Sequence, residues 1–104
     1  MAFLPVARIN LDLLDDEIER VKKLLGPEVV RIKHVFQEDT SGEPAVYFRI
    51  IITDLSSRRE TLGDVADKIE RTLRDEIRPY NCGIRLYTNF RNESEQAKLN
   101  DAWA

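Results

Sequence analysis

The chain has 104 residues, 42% of them hydrophobic and 34% charged, which suits one globular domain and leaves no room for a second of ordinary size. Its formal net charge of −3 excludes the overall basic balance of a general nucleic-acid binder. The single cysteine excludes an internal disulfide, and no apolar run approaches the roughly 20 residues that span a bilayer.

In chain order, Leu14, Ile18, Val21 and Leu25 are spaced by four, three and four residues, the stripe of an amphipathic helix over 11–25. Asn10 or Asp12 can cap its start. Asp15, Asp16 and Glu17 complement the positive end of its dipole, and Lys22 and Lys23 the negative end. Gly26 and Pro27 stop it. The period then becomes two. Val30, Ile32, His34 and Phe36 are expected on the buried face of a strand, with Val29, Arg31, Lys33 and Val35 on the other. The polar, glycine-containing run 38–43 reads as a turn. Pro44 opens a second strand with Val46, Phe48, Ile50 and Ile52 toward the core, so the pair predicts a hairpin.

Ser57 and Glu60 have the spacing of a capping box, followed by the helical stripe Leu62, Val65, Ala66, Ile69, Leu73 and Ile77, which Pro79 ends. Ile84, Leu86, Thr88 and Phe90 predict a third strand. Asn92 and Glu95 predict another capping box, opening a short helix that reaches toward Trp103. A helical crossover makes the second and third strands parallel. The expected fold is a single α+β domain over 1–104: a two-layer sandwich of order α-β-β-α-β, with a three-stranded mixed sheet and a short C-terminal helix. Strand orders 1-2-3 and 2-1-3 both satisfy the pattern.

The sheet face away from the helices is expected to carry Val29, Val35, Tyr47, Ile51 and Tyr87 beside Arg31, Lys33, Arg49 and Arg85. That face is too apolar to be left wholly wet and too charged for a core, and a partner sheet or second subunit accounts for it. The competing account is that long arginine stems shield isolated apolar residues. Eleven of the sixteen basic residues are arginine, which pairs with carboxylates two bonds at a time.

Catalytic and metal signals are sparse. His34, the only imidazole, lies in register with core residues and is expected to be structural; as a general base it needs a placed partner and a cleft. Cys82 follows a helix C-terminus, where the dipole disfavours a thiolate. Asp12, Asp15, Asp16 and Glu19 share a helical side, yet no His or Cys joins them and hard-cation sites draw on loop oxygens as well, so no metal, cofactor or catalytic group is assigned. The 38–43 turn lacks the spacing of an EF-hand loop, and the triplet Asn92-Glu93-Ser94 carries no meaning in a cytosolic chain. The opening residues lack the charged and apolar regions of a signal peptide, which points to the cytoplasm.

The segments Gly42–Arg49 (GEPAVYFR) and Phe90–Ala97 (FRNESEQA), with the Ala102-Trp103-Ala104 end, resemble those of a group of small bacterial proteins that brings no assigned activity. The layout is also similar to the cytoplasmic domain of cation-diffusion-facilitator transporters. There Ile50–Leu55 and Thr61–Glu70 parallel an aliphatic strand and the helix after it. Arg85-Leu86-Tyr87 stands where that family has a closing histidine-containing strand, so the resemblance implies the fold and a tendency to dimerise, without metal binding. Ribosome-binding factor A has a comparable element order with a basic character this chain lacks.

The function expected from these readings is a non-enzymatic cytosolic interaction module. It would form a homodimer or dock a protein partner through the open sheet face, using Tyr47, Arg49, Arg85 and Tyr87 with Trp103 as an anchor. An RNA- or ribosome-binding module using Arg58, Arg59, Arg71 and Arg74 is the alternative, and a small enzyme using His34 the second.

Overall fold

A computed structural model describes residues 11–77 and 84–103 of the chain. The order is α1 (Leu11–Lys22), β1 (Val29–Glu38), β2 (Pro44–Ile52), α2 (Arg59–Ile77), β3 (Arg85–Asn92) and α3 (Glu93–Leu99). The three strands form one mixed sheet in the order β1-β2-β3. β1 and β2 are antiparallel, and β2 and β3 are parallel, as the helical crossover requires.

Leu14, Ile18 and Val21 of α1 and Ile69, Leu73 and Ile77 of α2 join Val46, Phe48, Ile50 and Ile52 of β2 in one buried cluster. Both long helices therefore cover the same side of the sheet. β2, as the central strand, supplies the middle of the core, and Phe48 is its largest fully enclosed side chain at 0% exposed. Dispersion and area burial at such a site make truncation costly.

Four details depart from the sequence reading. A β-bulge interrupts the β1–β2 register between Val29 and Arg31. The extra residue swaps the two valines: Val29 packs on the core and Val30 is left 48% exposed. Next, α1 ends at Lys22, and i→i+3 bonds from Lys23, Leu24 and Leu25 tighten the chain while still packing Leu25 on the core. The Ser57–Glu60 capping box does not form. Ser57 Oγ instead donates to the Asp54 carbonyl and accepts from Asn92 Nδ2, and α2 starts at Arg59. Finally, Leu62 stays 38% exposed, so the buried stripe of α2 is confined to its later turns. Asn10, Pro79 and Cys82 lie outside the described residues.

Asn92 caps α3 as expected. Its side chain accepts from Glu95 N–H at 2.8 Å, while the Glu95 carboxylate accepts from Asn92 N–H at 2.8 Å. Asp54 ties the same helix to the β2–α2 loop, accepting from Ser94 N–H at 3.0 Å and from Ser94 Oγ at 2.6 Å. Among the described residues, no helix is long and apolar enough to cross a membrane.

Candidate functional site

The strand register orders the reverse face, the side away from α1 and α2, into rows. From the hairpin end these are Gln37–Ala45–Arg85, Val35–Tyr47–Tyr87, Lys33–Arg49–Asn89 and Arg31–Ile51–Arg91. Residues two apart on each strand share this face because the pleat alternates. The rows contain five cations and no carboxylate, in a chain whose net charge is −3.

The first two rows are braced. Tyr47 and Tyr87 stack, with ring centroids 5.0 Å apart and planes 17° from parallel. Tyr87 donates its hydroxyl to Asp39 Oδ2 at 2.8 Å. Asp39 also accepts from Ser41 N–H at 2.8 Å and Glu43 N–H at 3.0 Å, so the hairpin turn itself presents the carboxylate. Gly42 makes that turn at φ +80°, a backbone conformation that glycine tolerates without a Cβ clash. The Glu43 amide first, and then the Tyr87 hydroxyl, hold the Asp39 carboxyl below the usual carboxylate range. In return, the hydrogen bond to Asp39 pushes the Tyr87 phenol up. The Tyr87 hydroxyl and the Asp39 charge hold Arg85 firmly protonated.

The last row is occupied from within. Arg91 Nη1 donates to Gln96 Oε1 at 2.9 Å and to Asp101 Oδ1 at 2.8 Å, and its guanidinium lies 4.3 Å from the centre of the Trp103 ring. Asp101 is held below the usual carboxylate range, chiefly by Arg91. Packing of α3 on β2 and β3 accompanies these bonds, and Ile51 in the same row is only 2% exposed. The sequence reading expected an open reverse face, and this is corrected: the face is not open along its whole length. The chain's own C-terminal segment meets one end of it. Trp103 stands there, two rows from the tyrosine pair, and its ring is already engaged.

Between these ends lies the row Lys33–Arg49–Asn89, with Arg31 beside it. Lys33 and Arg31 are exposed and Arg49 is half-buried. None of the three has an ion-pair or hydrogen-bond partner among the described side chains. Of the residues expected to act together, Tyr47, Arg49, Arg85 and Tyr87 are contiguous. Arg31, Lys33 and Asn89 complete the patch, and the alternation of β1 was the signal for the first two.

The cations of the alternative reading are not brought together. Arg58 and Arg59 lie at the start of α2, while Arg71 is twelve residues beyond Arg59, about 18 Å along a helix axis. Arg71 is paired with Asp67 at 2.6 Å. Arg74 lines a cleft of about 260 Å³ with Glu70, Leu73, Leu86, Tyr87 and Thr88, where Thr88 donates to Glu70 at 2.5 Å.

His34 does have a carboxylate partner. Asp15 Oδ1 lies 2.5 Å from Nε2, and Glu19 Oε2 lies 3.7 Å from Nδ1. The ring, 8% exposed, is edge-on to Phe36 at 5.4 Å and tilted against Phe48 at 6.2 Å. Nδ1 is buried without a hydrogen-bond partner. Both nitrogens thus face carboxylates one helical turn apart on α1, an arrangement that seats the helix on the sheet. The i, i+4 spacing of Asp15 and Glu19 was visible in the sequence, but their convergence on His34 was not. No group of three potential metal ligands among the described residues could hold an ion.

No protein-family model matches the chain, no curated protein matches its sequence and no solved structure matches its fold.

Proposed function

We propose that the chain is a non-enzymatic interaction module that docks a protein partner through the reverse face of its sheet. The observation that carries this reading is the set Arg31, Lys33 and Arg49, without an ion-pair partner among the described residues, beside the stacked Tyr47 and Tyr87. Aromatic and arginine side chains held rigidly on a strand supply interface hot spots at little ordering cost. The tyrosine pair is pre-set by its stack and by the Asp39 bond, so little side-chain freedom remains to be lost on docking.

The test is capture from a cell extract with three forms of the immobilised chain. The parent and a helix-layer variant, Asp64→Lys/Asp75→Lys, are expected to retain the same protein. Lys33→Glu/Arg49→Glu, shown to be folded by circular dichroism, is expected to lose it. Loss in the helix-layer variant with retention in the sheet variant would put the contact on the helices and overturn the reading.

A further inference from the structure

Resting on that reading, we infer that the partner's contacting element is an extended acidic polypeptide segment, laid across Arg31, Lys33 and Arg49. The charge arrangement carries the inference. α1 and α2 hold eleven acidic and six basic residues, while the reverse-face positions hold five basic residues and no acidic one. The acids of the helical layer are partly neutralised in place, by Arg20 on Glu17, Lys22 on Glu19 and Arg71 on Asp67. The cations in the middle of the reverse face have no such partner among the described residues, so that surface is where unspent positive charge collects.

Spacing favours an extended chain. Arg31 and Lys33 are two residues apart on one strand, about 6.8 Å, and Lys33 and Arg49 are cross-strand neighbours, about 4.8 Å between strands. Acidic residues at alternate positions of an extended segment repeat at the same roughly 6.8 Å and point to one side. Guanidinium groups match carboxylates in planar, two-bond pairs.

Two observations favour this occupant over others. Single-stranded nucleic acid needs ring faces to stack on, but Tyr47 and Tyr87 turn their faces to each other. A second copy pairing this face on a two-fold axis would set cation rows against cation rows.

The experiment uses the full chain and four probes: a peptide of about ten residues with Glu at alternate positions, its Gln counterpart, oligothymidylate of matched charge, and the chain alone in sedimentation. Binding is read by anisotropy and by amide shifts. The Glu peptide is expected to shift the amides of Arg31, Lys33, Arg49 and Asn89. Its affinity should fall at least about fivefold when salt rises from about 50 to about 300 mM, because the screening length shortens. Lys33→Gln/Arg49→Gln should weaken it by about tenfold or more with unchanged melting temperature.

Tighter binding of oligothymidylate would overturn the inference in favour of nucleic acid. Self-association that the same variant abolishes would overturn it in favour of a second copy. Equal binding of the Gln peptide, or indifference to the variant, would remove the charge argument. If no probe binds while extract capture still depends on the sheet face, the acidic-segment inference fails and the interaction reading stands. If capture is indifferent to the face, both fail.

Discussion

The same three strands present two faces that solve different problems. Toward the helices, β2 places Val46, Phe48, Ile50 and Ile52, none more than 1% exposed. Toward the other side it alternates Tyr47, Arg49 and Ile51, and each meets a different environment. Tyr47 is braced by Tyr87, Arg49 has no ion-pair partner among the described residues, and Ile51 is buried in the row that Arg91 and the C-terminal segment occupy. One face is uniform because two helices cover it, and the other is graded because the C-terminal segment covers only one end of it. A central strand can therefore serve as core and as display surface at once, since the pleat assigns neighbouring residues to opposite sides.

The contrast can be broken hardest from the helix side. Phe48→Ala is expected to lower the unfolding free energy by about 3–5 kcal/mol, read by denaturant titration. Tyr47→Ala, one residue away on the graded face, should cost less than half as much. Equal losses would mean that the reverse face is as closely packed as the core.

The closed end of the graded face is sharpened next. Asn92→Ala removes a cap and the bond to Ser57, and is expected to cost about 1–2 kcal/mol. Amide exchange of α3 should quicken while that of β2 stays slow. A uniform quickening throughout the sheet would show that α3 is part of the core and not an appended cover.

The smallest expected effect is with acid. Asp39, Asp54 and Asp101 are each held below the usual carboxylate value, by the hairpin amides and Tyr87, by Ser94, and by Arg91 respectively. A lowered folded-state value contributes stability above the unfolded value of about 3.9, and that stability is lost as pH falls through the lower folded value. The two ends of the reverse face should therefore loosen below about pH 4, before the helix-covered core. Amide shifts of Ser41 and Glu43 would report it, and Asp39→Asn should abolish their titration. A midpoint at or above the ordinary aspartate value would show that these bonds do not hold the turn.

The bulge shows where sequence reading met its limit. Val29 and Val30 are chemically alike, so alternation alone carries no signal for which one turns inward; the pairing register with Ile52 decides it. Ser57 likewise has a capping spacing, but Asn92 from a distant strand takes its hydroxyl, a competition invisible in a local window. By contrast, the Asn92–Glu95 box needs only its own four residues and forms as read. Of the site, Tyr47, Arg49, Arg85 and Tyr87 were legible from strand period. The separation of Trp103 from them, and the role of Asp39, were not.

The amino-acid sequence by itself determined the element order, the parallel β2–β3 pair and the shared side of the two long helices. Those follow from local periodicity, chain stops and the geometry of a helical crossover. Only the tertiary structure decided the strand order, the bracing of one end of the reverse face and the covering of the other, and the row of cations between them that has no ion-pair partner among the described residues. Those depend on pairing between strands and on contacts across the sheet, such as Asp39 with Tyr87 and Asp54 with Ser94, which no local pattern encodes.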